Sequence, residues 1–195
     1  MVTSKVYSIQ VMMTEHAHII DFLKVVRAAC IRLMQTKDIC EEDFYGFIDF
    51  ARNYSDKHHH GKEEDFLFNQ MVAYLGEAGK TLVQNGMLVE HDLCRSHILD
   101  LERALKAYKQ DPCPEYCLDI IEAAAGYAHL LSRHIEKENN VVYPFAERGL
   151  NPEVLAIVDK HVHEFEAAHI NVKKSAALLV QLQQWQKKYG VLESS

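Results

Sequence analysis

Apolar positions recur with helical spacing along nearly the whole chain, and no stretch shows the strict alternation of a half-buried strand. Met12, Ile19, Leu23, Val26 and Cys30 form one stripe, and Met87, Cys94, Ile98, Leu101 and Leu105 form another. Ile120, Ala124, Tyr127, Ala128, Leu131, Val142 and Phe145 make a third. Between them lie Gly76 and Gly79, then Asp111-Pro112-Cys113-Pro114, then Arg148-Gly149-Leu150-Asn151-Pro152, all turn or breaker signals. The pattern predicts helices over about 7–35, 41–74, 85–110, 115–147 and 152–188. Asn151 is the expected N-cap of the last, with Pro152 at its first position. Long helices with short connections predict an all-α protein. Its expected form is an antiparallel up-and-down four-helix bundle over residues 1–150, with an additional C-terminal helix in 151–195 packed on it.

The second helix departs from a single stripe. Phe44, Phe47, Ile48 and Ala51 define one direction, while Phe66, Leu67 and Met71 define another, displaced by more than supercoiling accounts for.

Several polar residues fall on apolar faces. On a wheel of about 100° per residue, His134 and Glu138 lie on the stripe of the fourth helix, and Glu136 and Lys137 point away. His91 lies on the third stripe and His16 on the first, whereas His97 and His18 fall off them. In the second helix His59 and Glu63 fall between or on its two apolar directions, and His60 and Glu64 point further out. His58 lies near the first direction, but its i+4 neighbour Lys62 is not a partner ligand. The four helices thus carry His, His-x3-Glu, His and His-x3-Glu, all directed inward.

Composition sharpens this. The 195 residues include 12 His, spread from His16 to His169, in a chain otherwise ordinary in its 48% hydrophobic content. A formal net charge of −7 argues against a nucleic-acid or anionic-membrane partner. No window approaches the roughly 20 apolar residues of a membrane span. Residues Met1–Tyr7 have no signal-peptide character, and five cysteines without secretory context read as reduced thiols of a cytoplasmic protein. Cys113 and Cys117 are spaced C-x3-C and are read as loop-edge or core residues.

Charged side chains are seldom buried unless paired or ligating a metal. The alternative to a metal site is a buried His–Glu hydrogen-bond network; convergence of six residues from four helices favours metal. Imidazole with carboxylate suits Fe, Mn, Zn or Co rather than Mg or Ca. Four histidines and two carboxylates exceed the ligand count of a closed structural zinc site and point to two metals. If both glutamates bridge, with an added oxo or hydroxo bridge, about two positions stay open for a small ligand. Ferritin-like di-iron bundles differ, since they use Glu-x-x-His and are richer in carboxylate.

The sequence here resembles the hemerythrin-like (HHE cation-binding) family. The resemblance is carried by Glu15-His16, His59-His60-x-Lys62-Glu63-Glu64-x-x-Leu67-Phe68, Glu90-His91, and His134-Ile135-x-Lys137-Glu138-Asn139-Asn140-x-x-x-Pro144, and covers roughly residues 10–147. It implies a bundle holding two Fe ions as a non-haem, oxo- or hydroxo-bridged centre, with Mn or Zn compatible with the same ligands. The matching ligand positions are His16, His59, Glu63, His91, His134 and Glu138. Oxygen-carrying hemerythrins have a second histidine where Arg95 stands here, and an Asp where Asn139 stands. The bacterial members are the nearer likeness. The resemblance therefore implies a protein that binds or senses O2, NO or peroxide. The rivals are a stress-response enzyme or repair factor that handles NO or peroxide or donates iron to iron–sulfur centres, and a helical interaction module with incidental histidines.

The C-terminal helix lies outside this resemblance. Val158, Val162, Phe165 and Val172 are expected to pack inward, with His161, His163, Glu166 and His169 either solvated or, for His163 and Glu166, reaching a gate or the metal. Trp185 and Tyr189 either dock the tail or form a homodimer contact.

Overall fold

The computed structural model describes residues 4–191, and every regular element among them is a helix. α1 spans Tyr7–Thr36. α2 runs without a break over 41–74, α3 over 76–110 and α4 over 114–149, each interrupted by stretches of wider, π-type turn. α5 (Pro152–Ala167) and α6 (His169–Tyr189) follow. α1 packs against α2 and α4, and α3 packs against the same two, so the four long helices close a ring in which each chain neighbour is a spatial neighbour. This is the expected up-and-down bundle.

The connections are short and locally determined. α2 passes to α3 through Leu75 and Gly76, and Gly76 takes φ +62°, which a side chain would resist. Gly79, read as a breaker, lies within α3; a Cβ there would stand 2.6 Å from the Met71 carbonyl oxygen, so the glycine serves close approach. α3 therefore begins at 76 rather than near 85. Asn151 caps α5 as its sequence position indicates, its Oδ1 accepting from Val154 N–H at 2.8 Å.

The interior is layered along the bundle axis. One apolar cluster gathers Phe22, Phe44, Phe47, Phe50, Leu101, Leu131 and Trp185, and a second gathers Ile9, Met12, Leu67, Phe68, Met87, Val142 and Val158. On every long helix the inward polar residues lie in sequence between members of these two clusters, so the polar layer is enclosed at both ends. Apolar burial of this extent on each side is the main favourable term in folding.

The C-terminal segment forms two helices rather than one. The chain is extended at Ala168 (φ −63°, ψ 119°), where Asn171 Nδ2 donates to the Phe165 carbonyl at 2.9 Å. No Pro or Gly marks this break; packing imposes it. Val154, Val158 and Val162 of α5 are buried against the second cluster, and Ser8 N–H donates to Asp159 Oδ1 at 2.8 Å at the start of α1. Val172, expected to pack inward, is exposed. α6 runs along α1 and α2 and seats Trp185 against Phe47, ring centroids 4.9 Å apart. Gly46 makes the seat, since a Cβ there would lie 2.5 Å from Trp185 Cζ2.

Candidate metal centre

Wide turns set the facing of the inward polar residues. In an α-helix His59 and His60 would diverge by about 100°. Here Ala51–His60 and Glu63–Phe68 are π-type, and each wide turn rotates the following residues relative to an α-helix. This rotation accounts for the two apolar directions of α2. It also brings His58, His59, His60 and Glu63 all to the interior. A further wide turn covers Glu138–Val142 in α4, just ahead of Pro144, whose missing N–H and ring disfavour an ordinary α turn there.

Six expected residues, His16, His59, Glu63, His91, His134 and Glu138, are fully or almost fully buried and meet in one place. Donor atoms of His16, His59, Glu63 and Glu138 lie within 4.8 Å of one another. Those of His60, Glu63, His91 and His134 do the same, so Glu63 belongs to both groups. Glu138 spans them: Oε2 is 3.1 Å from His16 Nε2, and Oε1 is 3.0 Å from His134 Nε2. Glu63 Oε2 is 3.6 Å from both His59 Nε2 and His91 Nε2, while its Oε1 accepts from the Tyr143 hydroxyl at 2.5 Å. His91 Nε2 and His134 Nε2 are 3.0 Å apart.

Each of the four expected histidines is held from behind. Nδ1 of His16 meets Asn139 Oδ1 at 2.8 Å, Nδ1 of His59 meets Glu15 at 2.9 Å, Nδ1 of His91 meets Glu64 at 2.6 Å, and Nδ1 of His134 meets Glu90 at 2.8 Å. The three carboxylates are in turn paired with cations: Glu15 with Lys62, Glu64 with Arg95, Glu90 with Lys137. Fixing Nδ1 outward leaves Nε2 free to face the centre, the usual support of metal-ligating imidazoles. Glu15 and Glu90 precede His16 and His91 in sequence, yet each supports the histidine of a neighbouring helix.

The electrostatics follow from this crowding. Burial raises the Glu63 carboxyl, and the neighbouring Glu138 carboxylate raises it further. Glu138 goes the other way, because His134, His16 and His91 outweigh its burial. Burial would lower His134, but Glu138 and Glu90 overcome that and hold it at about 9. His59 is depressed to about 4 by burial and by His16 beside it.

His59 Nε2, Glu63 Oε2, both oxygens of Glu138 and both ring nitrogens of His60 are buried without a hydrogen-bond partner. The short contacts at Glu138 therefore lack hydrogen-bond geometry. Buried donors and acceptors are almost always satisfied, so this concentration of orphans on one point fits a cation. The donor set, imidazole nitrogen and carboxylate oxygen, suits transition metals.

Sequence reasoning missed three features. His60 is buried inside the cluster rather than pointing outward, and its ring stacks on His91 with centroids 3.8 Å apart. Tyr143 anchors Glu63. Glu15, Glu64 and Glu90 form the supporting tier; the doublets Glu15-His16, Glu63-Glu64 and Glu90-His91 were visible, but without inter-helix pairing their partners were not. Pro144 within a helical pattern was the one local signal of a wide turn.

The remaining candidates sort by position. Glu166 of α5 pairs with the wholly buried Lys62 and lies 3.4 Å from His58, so it caps a flanking cluster with Glu15 rather than the six-residue centre. His163 lies 3.4 Å from the Tyr7 hydroxyl, and His161 packs by Phe66. The side chain of His169 lies outside the described residues. All five cysteines are free, and burial pushes the Cys30 thiol to about 11 and the Cys94 thiol to about 12. A cavity of about 310 Å³ lies between α2, α3 and α4, its wall including Ala51, Cys94, Ile98, Tyr127 and Arg95, and it touches the buried polar cluster at His60.

No helix among the described residues is long and apolar enough to cross a membrane. Comparison with curated proteins gives no match. The hemerythrin HHE cation-binding domain matches residues 7–146, which takes in α1 to α3 and nearly all of α4, with every inward histidine and glutamate of the buried layer. With that match over most of its length, the chain belongs to the hemerythrin HHE cation-binding domain family.

Proposed function

We propose that this chain is a non-haem di-iron protein that binds or senses O2 or a related small oxidant such as NO or peroxide. The observation that carries the reading is the buried layer itself: six donor residues from four helices, with orphaned atoms, ringed by carboxylates that fix the imidazoles. In this reading His16 and His59 serve one iron, and His91 and His134 serve the other. Glu138, with one oxygen by His16 and the other by His134, and Glu63, with Oε2 by His59 and His91 while Tyr143 holds its other oxygen, would be the carboxylates shared between the two ions. Iron so held would supply open coordination positions and one-electron chemistry toward small oxidants. The protein's own part is to exclude bulk water with an apolar layer at each end and to orient the four imidazoles and Glu63 through outer partners. The cavity lined by Ala51, Ile98 and Tyr127 offers such a molecule a route inward.

Metal analysis tests this directly. Protein purified without added metal, then reconstituted with iron, should hold two iron atoms per chain. A near-ultraviolet absorption that shifts with azide should accompany them. Less than two transition metals per chain after reconstitution would overturn the assignment.

A further inference from the structure

His60 has no place in the six-residue set, yet its surroundings repeat those of the other histidines. Its ring is buried, and both ring nitrogens lack a hydrogen-bond partner. Nδ1 lies 3.5 Å from Asp56 Oδ1, too far for a sound hydrogen bond but aimed at a carboxylate, as Nδ1 is in His59, His91 and His134. Asp56 is itself clamped by Arg95 at 2.8 Å, and the same guanidinium reaches Glu64 behind His91 at 2.7 Å. One cation thus backs two neighbouring carboxylates, and each carboxylate faces one of two stacked imidazoles. A His60 nitrogen joins Glu63, His91 and His134 within a single 4.8 Å group, while His16 and His59 belong to the other. An imidazole with two unpartnered nitrogens is costly in an interior unless something binds it.

We infer that His60 is a metal ligand, the fifth nitrogen of the centre, its ring turning out of the stack on His91 to serve the position it would share with His91 and His134. The two positions would then be unlike, one with two histidines and one with three. Arg95 would act as a positioning residue that sets Asp56 and Glu64 behind the three-histidine side. His60 also stands in the wall of the access cavity, so the three-histidine position would be the one nearer to it. The inference rests on the di-iron reading.

The test is anaerobic titration of metal-free protein with iron(II), followed by metal analysis and thermal melts, for wild type, His60→Leu and His60→Gln. Wild type should take two equivalents. Both variants should take the first normally and bind the second at least ~10-fold more weakly, since loss of even a supporting partner typically costs ~10- to 100-fold. In the metal-free state His60→Leu should melt at or above the wild-type temperature, because it removes unsatisfied polar atoms. That last result separates a ligand from an ordinary core histidine, whose loss would lower the melting temperature with or without metal. Two equivalents bound with wild-type affinity in both variants would overturn the inference while leaving the di-iron reading intact. Wild type that takes up no iron would overturn both.

Discussion

At the scale of single residues, the site depends on groups one layer behind the donors. Glu90 accepts from His134 Nδ1 and pairs with Lys137, and these contacts lower its carboxyl to about 2, His134 having the largest effect. Glu90 is partly exposed, so Glu90→Gln should fold normally. It should nevertheless lower iron affinity by ~10- to 100-fold, because the His134 ring loses its charged anchor. Unchanged affinity in an iron(II) titration would show that the outer carboxylate does not support this histidine. Residues of this tier are where the sequence is least informative. The inward facing of His16, His91, His134 and Glu138 follows from a constant helical step and can be read directly. The partners of Glu15, Glu64 and Glu90 depend on how far one helix slides along the next, which the chain does not encode locally. His58, His59 and His60 stayed unresolved for a related reason: a wheel of constant step cannot describe a stretch whose turns widen.

At the scale of elements, the number of long helices and most of their ends were legible because breakers and apolar stripes agree. Two ends were not. Gly76 and Gly79 together read as a long interruption, but only Gly76 takes a left-handed turn, and α3 starts at once. The break at Ala168 has no sequence signal because it comes from docking of α5 and α6 on different surfaces. α6 itself is held at its far end by one carboxylate. Asp43 accepts from Trp185 Nε1 at 3.2 Å and from the Tyr189 hydroxyl at 2.5 Å, and it pairs with Lys188 at 2.5 Å. Burial would raise the Asp43 carboxyl, but Lys188, Tyr189 and Cys40 outweigh it and hold it below its ordinary value. A depressed carboxylate stabilises the fold fully above its unfolded pKa of about 3.9, and that contribution fades as pH falls through the lower folded value. Acid should therefore loosen α6 below about pH 4, seen as a rise in Trp185 fluorescence wavelength. Asp43→Ala should cost about 2 kcal/mol at neutral pH, from the loss of a charged acceptor with several donors. In a chain of this size that is a fall in Tm of roughly 4–8 °C. The same acid transition in Asp43→Ala as in wild type would assign it to another group.

At the scale of the whole molecule, the buried polar layer makes stability conditional. Two large apolar clusters favour the fold, yet between them lie buried carboxylate and imidazole atoms without partners, which oppose it. The apolar layers can close on this charge because four helices supply it together, α1, α3 and α4 each contributing one or two residues and α2 several. A metal ion that binds the folded state, with little affinity for the unfolded chain, adds stability of RT ln(1 + [L]/Kd). At a free iron(II) concentration 100-fold above Kd this amounts to about 2.7 kcal/mol for each position. For a chain of this length that corresponds to roughly 5–11 °C in Tm per filled position. Anaerobic melts should therefore shift upward with iron(II) concentration. They should fall back on chelation and follow the same curve when iron is restored. The shift should come in two stages if the positions differ in affinity. A melting temperature indifferent to both iron and chelator would mean that the protein tolerates its buried charge unaided, and the layer would then be a structural hydrogen-bond network. Which outcome holds depends on the orphaned atoms of His59 and Glu63 on α2 and of Glu138 on α4, since a cation between the two helices would satisfy all of these acceptors at one point.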